Sequence, residues 1–495
     1  MSTSQISDFR FATGLQCHKR LWWTTHDPDA PELVPDPAIR LCTDEELRVM
    51  EMARAHFPNG LLIDLPQAQV QERVRATELA LAQETPAIFQ ATFAHGGLVV
   101  SVDILAREGR GHALIHVRSS TSVEPHHLWD PAAQAWVLRQ VGIDVDSVEI
   151  MHLNPASRFP EVEDLFVREA VTGRVRALNR QIPGMISEQT AMLDGPLPEV
   201  APGRHCNEPE ICPFKNRCWP ALPMHHVETF HALRREKSEQ LDSQGLSLVE
   251  EVPSSFPLTV IQQRQQRSVT EGELQVEGRL EEALSPLRGR VAYLDMETVS
   301  LSVPVWNGFG PWRDYPVQFS CHVLSPDGEL KHHDWLASGP EDSRVAMAGA
   351  LVEAMEDADV VVAYDMKAKK KCLEAVAAAA PEQARQIQSI SSRLRNLFPI
   401  VRDHVYHPDF RGSFSLDSVV PALLPEFGNG AREIQEGHTH DSLLHELLFR
   451  GKPEEPAQRE TIRQSLKRLA FLNSLALLRL KERLDELAEA QESLG

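Results

Sequence analysis

His205-Cys-Asn-Glu-Pro-Glu-Ile-Cys-Pro-Phe-Lys-Asn-Arg-Cys-Trp219 sets Cys206, Cys212 and Cys218 in one short stretch. A fourth cysteine, Cys17, stands far upstream in Gly14-Leu-Gln-Cys-His-Lys-Arg-Leu-Trp22. Four thiolates are the ligand set of a [4Fe–4S] cluster or of a structural zinc ion. Drawn from both ends of a segment, they would close it like a clasp. The chain has seven cysteines, an odd number at uneven spacings, which does not read as a disulfide framework. In a reducing compartment such a group points to metal. Cys42, Cys321 and Cys372 are left over and read as ordinary small core residues.

The 495 residues exceed one core and suit two or three domains, and a 42% hydrophobic content is enough to fill them. No apolar run reaches membrane-spanning length, and Met1-Ser-Thr-Ser-Gln-Ile-Ser-Asp-Phe9 lacks the basic-then-apolar layout of a signal. A cytoplasmic protein with no membrane partner is expected. Fifty basic residues against seventy-one acidic give a net charge of −21, which argues against coating nucleic acid by bulk charge. Local basic grooves remain open. The contenders are Lys367 with Lys369-Lys-Lys371, the trio Arg174, Arg176 and Arg180, and Arg234-Arg-Glu-Lys237.

Upstream of the cysteine trio, helical signals run from Asp44 through Ala55. Leu98-Val-Val-Ser-Val-Asp-Ile-Leu105 and His112-Ala-Leu-Ile-His-Val117 read as strands joined by a hairpin turn at Arg107-Glu-Gly-Arg-Gly111. A helix follows from Pro131 to about Gln140. Residues 226–285 are polar and helix-rich, a connector. Beyond it, Arg290-Val-Ala-Tyr-Leu-Asp295 and Asp359-Val-Val-Val-Ala-Tyr364 read as buried strands, and Val317-Gln-Phe-Ser-Cys-His-Val323 alternates. Strands first and helices after predict a mixed sheet flanked by helices.

Asp295 and Glu297 lie two apart on a strand and so project to one side. Cleavage of a phosphodiester by two metals needs several carboxylates holding ions about 4 Å apart. Further on, Leu466, Leu469, Asn473, Leu477, Leu480 and Leu484 share one helical stripe, which makes Asn473 its one polar member. In the first part, Asp103 on one hairpin strand faces the neighbourhood of Ile115 and His116 on the other, and His116 and Arg118 share a side. Aspartate opposite a Glu-x-Lys pair is the signature of restriction-type nucleases, where the carboxylates bind Mg²⁺ and the lysine steadies the attacking water.

Several motifs carry family resemblances. Tyr293-Leu-Asp-Met-Glu-Thr298, Pro304-Val-Trp306, Pro316-Val-Gln-Phe-Ser-Cys-His322, Tyr406-His-Pro-Asp-Phe-Arg-Gly-Ser-Phe-Ser-Leu416 and Val420-Pro-Ala-Leu-Leu-Pro425 resemble, over most of 290–485, uncharacterised bacterial proteins with a ribonuclease-H-like DEDD exonuclease domain. That resemblance implies metal ligands at Asp295 and Glu297 and two further acidic positions. Where the family resembles Tyr-Asn-x-x-Phe-Glu, this chain has Tyr364-Asp-Met-Lys-Ala-Lys369, with Asp365 for the asparagine and Lys369 for the carboxylate. Where it resembles Tyr-Cys-x-x-Asp-Thr, this chain has Leu469-Ala-Phe-Leu-Asn-Ser474, with Asn473 for the aspartate. An amide binds a divalent ion more weakly than a carboxylate, and an ammonium repels it; Asp295, Glu297 and Asp365 could still hold one.

Residues 9–222, with their flanking cysteines, resemble the RecB-like iron–sulfur exonucleases, including the CRISPR-associated ones. The resemblance implies a PD-(D/E)xK fold and a [4Fe–4S] cluster on Cys17, Cys206, Cys212 and Cys218. It also implies a downstream glutamine helix, matched by Asp130-Pro-Ala-Ala-Gln134, and catalytic roles at Asp103, His116, Arg118 and Gln134. Here too residues are exchanged. His116-Val-Arg118 stands for Glu-Val-Lys, and Gln90-Ala-Thr-Phe93 for Glu-Ala-Thr-Phe. Arginine stays protonated and cannot replace lysine in proton handling, although it still pairs with phosphate.

The expected class is α/β. A restriction-nuclease-like domain with an Fe–S cluster spans 1–225, a helical connector 226–285, and a ribonuclease-H-like domain 286–495. The expected function is nucleic-acid binding by two nuclease folds with degenerate sites. The partners would be DNA, single-stranded or at ends, and other proteins of a repair, mobile-element or antiviral defence system. An active exonuclease using Mg²⁺ or Mn²⁺, its metals on Asp103, Asp295, Glu297 and Asp365, is the alternative; a protein-only scaffold is the third.

Overall fold

The computed structural model describes residues 5–219, 222–427, 439–449 and 456–494. The chain is a mixed α/β protein with several sheets. It divides into two compact units, one of residues 1–220 with 300–313, the other of 221–299 with 314–495. No helix among the described residues is long and apolar enough to cross a membrane.

The first unit is built on strands β1 (Ala87–His95), β2 (Leu98–Glu108), β3 (Gly111–Arg118), β4 (Val145–Leu153) and β5 (Phe166–Ala170), in that order across the sheet. Two-residue strands at Leu61–Leu62 and Ile6–Ser7 pair with β1 and β2. The β1–β2, β2–β3 and β4–β5 pairs are antiparallel and β3–β4 is parallel. A parallel pair needs a crossover. Among helices α1 (Asp8–Gln16), α2 (His18–His26), α3 (Pro37–Arg54), α4 (Val70–Ala82), α5 (Trp129–Gln140) and α6 (Ile182–Leu193), it is α5 that makes it. Both predicted hairpin strands are present and run a few residues longer than expected. The helix expected from Asp44 begins at Pro37, because Asp36 accepts the Ile39 amide at 2.8 Å and proline suits the first helical position.

Both faces of this sheet are covered, and the strands switch face midway. Leu98, Val100 and Val102 of β2 pack with Ile88, Ala91 and Phe93 of β1 in one core. Ile104 and Ala106 pack with Ala87 and Phe89 in the other, where Val49 and Ala53 of α3 and Val303 join them. The switch falls at Gln90 and Asp103. Gln90 has φ +58°, the left-handed region that non-glycine residues seldom enter. Such irregularities re-aim side chains, and they gather next to functional sites.

The second unit holds strands β6 (Val291–Ser300), β7 (Asp314–Leu324), β8 (Leu330–Leu336), β9 (Val360–Ala363) and β10 (Leu394–Asn396), in the order β8-β7-β6-β9-β10. The β7–β8 pair is antiparallel, and β6–β9 and β9–β10 are parallel. Its helices include α7 (Val260–Glu271), α8 (Arg344–Met355), α9 (Met366–Ala379), α10 (His440–Phe449) and α11 (Pro456–Leu494). Alternation sorts β6 between two cores. Ala292, Leu294 and Met296 meet Met347 and Leu351 of α8 and Leu373 of α9. Val291 and Tyr293 meet Leu477, Leu480 and Leu484 of α11. The predicted leucine stripe is therefore buried as expected. The 226–285 stretch has a small core of its own, with Val227, Phe230, Leu241, Val249, Val252 and Phe256.

A buried polar network joins α11 to β7. Ser474 Oγ lies 2.8 Å from Ser320 Oγ and 2.9 Å from His322 Nδ1, and His332 Nε2 lies 2.9 Å from Ser320 Oγ. Burial, helped by His332 and Arg479, pushes the pKa of His322 down to about 4. A histidine neutral when folded takes up a proton once unfolded, so its stabilisation is complete above about pH 6.5 and is lost as pH falls towards 4. From pH 7 to pH 5 this residue alone should lower stability by about 2 kcal/mol. Urea denaturation at the two pH values, wild type against His322→Asn, isolates the difference; equal losses in both would exclude it.

Candidate functional site

In the second unit, strand parity puts Asp295 on the Tyr293 side of the sheet, where α11 and the first turn of α9 meet it. Lys369 Nζ lies 2.9 Å from Asp295 Oδ1 and donates to the Met296 carbonyl at 2.6 Å. Asn473 Nδ2 donates to Asp295 Oδ2 at 3.0 Å. Burial opposes ionisation of Asp295, but the Lys369 ammonium and the donors on it outweigh burial and hold its pKa below the usual carboxylate value. Glu297 moves the other way: burial, and then the charge of Asp295, raise its pKa well above the ordinary value. Lys369 resists the pull of burial because Asp295 and Glu297 surround it, and its pKa stays above normal.

Asp365 caps α9, accepting the Ala368 amide at 3.1 Å, and is exposed. Two residues of α10 that sequence reasoning missed also reach this place. His440 Nδ1 stands 3.7 Å from Glu297 Oε1, its Nε2 lies 3.2 Å from Gln318 Oε1, and Asp441 adds to the field on Glu297. Nothing in their sequence neighbourhood ties them to a strand some 140 residues earlier.

In the first unit, the irregularity at Gln90 and Asp103 turns both side chains towards β3. Gln90 Nε2 donates to Asp103 Oδ1 at 3.4 Å, and the Val117 amide to Asp103 Oδ2 at 2.9 Å. His116 Nδ1 is 2.9 Å from the same Oδ2, as a charge pair and not an aligned hydrogen bond. Its Nε2 is 3.7 Å from Asp130 Oδ2, and Arg118 donates to that oxygen at 2.5 Å. Burial opposes the charge on Asp103, but His116, the Val117 amide and Arg118 together outweigh it and lower the carboxyl's pKa. Gln134 donates from α5 to the Ser101 carbonyl at 3.1 Å.

Asp103, His116 and Arg118 stand together, Gln134 lies on α5 against the Ser101 carbonyl, and three acids join them. Asp130 begins α5, and it stood in plain view within the quoted helix motif. Asp8 accepts the Ser101 amide at 3.0 Å, and its carboxyl is raised by burial and by Asp130 and Asp103. Glu46 of α3 is raised by burial against the opposing pull of Arg118. His127 is pushed down to about 4, first by burial and then by Arg118, His126, His116 and His152. Four buried atoms here find no hydrogen-bond partner among the described residues: His116 Nδ1 and Nε2, Arg118 Nε and Gln134 Oε1.

The four cysteines also converge. Cys17 closes α1 and opens α2. Gly14 lets α1 approach α6, since a Cβ there would stand 2.4 Å from Gln189 Cδ. Gln16 Nε2 then donates to the His205 and Glu210 carbonyls, both at 2.7 Å, and ties α1 to the cysteine loop. The Cys212 amide donates to the Cys206 carbonyl at 2.9 Å. Cys206 and Cys212 are buried, all four thiols are free, and Cys17 and Cys206 act electrostatically on both Cys212 and Cys218. Burial raises Cys212 and Cys218; Arg20 counters it at the first and Lys19 at the second. From the loop, Arg217 pairs with Glu32 at 2.7 Å and with Asp27 at 2.9 Å. Among the described residues no group of three or more His, Cys, Asp or Glu is arranged to hold a metal ion.

No curated protein and no solved structure matches the chain. Residues 292–415, which carry Asp295, Glu297, Asp365 and Lys369 but neither His440 nor Asn473, match a family described as a domain of unknown function (DUF2779).

Proposed function

We propose that this protein binds nucleic acid, DNA single strands or ends, through two nuclease-type folds that hold the backbone without metal-dependent cleavage. The sheet orders support those folds. In the first unit the succession α4-β1-β2-β3-α5-β4, with its parallel last pair, agrees with a restriction-nuclease-like core. In the second, an order of third-second-first-fourth-fifth strand, with parallel first, fourth and fifth, agrees with a ribonuclease-H-like sheet.

One observation carries the functional reading: Arg118 Nε and the His116 ring nitrogens are buried without an aligned hydrogen bond, beside Asp103 and Asp130. An unsatisfied buried donor costs about 1–3 kcal/mol. A hydrogen-bond acceptor brought to this place would satisfy such donors, and a phosphodiester oxygen suits the unpaired Arg118 Nε–H and a His116 ring N–H. Exposed Lys367, Lys370 and Lys371 on α9 offer a second cationic surface despite the net charge of −21. The four cysteines would carry a [4Fe–4S] cluster, whose contribution here is structural: it ties α1 and α2 to the loop at 206–218. A repair, mobile-element or antiviral defence setting with protein partners is consistent with binding without cutting.

Electrophoretic retention of a labelled single strand tests the reading. Affinity should fall steeply with salt, with a log–log slope of about −0.7 per phosphate contacted. Arg118→Gln should weaken it roughly tenfold to a hundredfold. Salt-independent binding, or none, would support a protein-only scaffold instead.

A further inference from the structure

We propose that the Lys369 ammonium is the resident cation of the Asp295 site, and that the second unit is thereby closed to divalent metal ions. Both oxygens of Asp295 carry a donor: Lys369 on Oδ1 at 2.9 Å and Asn473 on Oδ2 at 3.0 Å. A second Lys369 proton is taken by the Met296 carbonyl at 2.6 Å. Asp365 Oδ1 is engaged in capping α9. Glu297 is hydrogen-bonded to Asp295, with His440 at 3.7 Å, and Asp441 acts on it only through its charge. Two-metal chemistry needs several carboxylates around each ion and a metal-bound water. An ammonium supplies one charge and three donors, with no open coordination position.

The arrangement is also hard to undo. Lys369 sits in the first turn of α9, its amide bonded to the Asp365 carbonyl at 3.2 Å, and its side chain is only 15% exposed. Withdrawing the ammonium would strand Asp295, 12% exposed, without a counter-charge. Any metal-dependent cleavage by this protein would therefore belong to the first unit. The inference rests on the second unit's geometry alone, so its failure would leave nucleic-acid binding standing, and the reverse.

Mn²⁺ titration of the full-length protein, followed by electron paramagnetic resonance, tests it. Wild type and Asp295→Asn should bind the same number of ions. Lys369→Glu with Asn473→Asp should gain one, and lose it again when Asp295→Asn is added. A Mn²⁺ ion bound by wild type and lost in Asp295→Asn would overturn the proposal. So would a folded Lys369→Glu/Asn473→Asp protein that binds no more Mn²⁺ than wild type. Should that variant not fold, Lys369→Met serves: its Tm should rise with added Mn²⁺ while the wild-type Tm stays fixed. A Lys369→Met Tm indifferent to Mn²⁺, or a wild-type Tm that rises through Asp295, would contradict the assignment.

Discussion

Lys369→Met should destabilise the second unit by about 3–5 kcal/mol, the usual loss when one partner of a buried ion pair is removed. The loss is large because three groups are affected together. Asp295 keeps its charge without its strongest neighbour, the Met296 carbonyl loses its donor, and Glu297 faces Asp295 with no cation between them. Adding Asp295→Asn should restore most of the stability, since the neutral amide no longer needs the ammonium and can still accept from Asn473. Urea denaturation of the two single variants and the double variant gives the coupling directly. Additive losses would mean that the pair is incidental and that Lys369 contributes by packing alone.

The second large effect is at the cysteines. Protein purified without oxygen should be brown, with about four irons per chain. Cys212→Ala should abolish the colour and the broad visible absorbance. Metal-linked folding energies in small thiolate sites are on the order of 10 kcal/mol. The variant should therefore expose the loop at 206–218 to proteolysis while the second unit stays intact. Little else holds the loop: a small apolar group of Ala30, Cys212 and Phe214, the two carbonyls on Gln16, and Arg217 on Glu32 and Asp27. Stoichiometric zinc without iron would refute the assignment, as would a Cys212→Ala protein that keeps its absorbance.

What could be read from the sequence followed from periodicity. The hairpin of β2 and β3, the alternation that places Asp295 and Glu297 together, and the leucine stripe around Asn473 all depend on local spacing, and spacing survives folding. Direction and reach do not. The sequence marked Lys369 as a charge that would repel a metal; only the fold places its ammonium on Asp295 Oδ1. His440 and Asp441 come from a helix of no evident signature. Asp8 and Glu46 come near Asp103 from helices far from it in the chain, which no local spacing announces. The face switch at Gln90 is a backbone event at φ +58° that no side-chain pattern announces. Residues 300–313 follow straight on from β6, yet Val303 and Trp312 pack in the first unit and Ser302 donates to Glu45 at 2.6 Å. Contiguity in the chain could not reveal that.

Both units set a protein cation against a buried or half-buried aspartate: Arg118 on Asp130 in the first, Lys369 on Asp295 in the second. The most direct test is a time course of end-labelled single-stranded DNA and RNA with the full-length, iron-loaded protein in Mg²⁺ or Mn²⁺. Each time point is split between a native and a denaturing gel. The expected result is a retained strand of unchanged length, released by salt. Progressive shortening of the strand that stops in Asp103→Ala or Asp295→Ala would contradict the account.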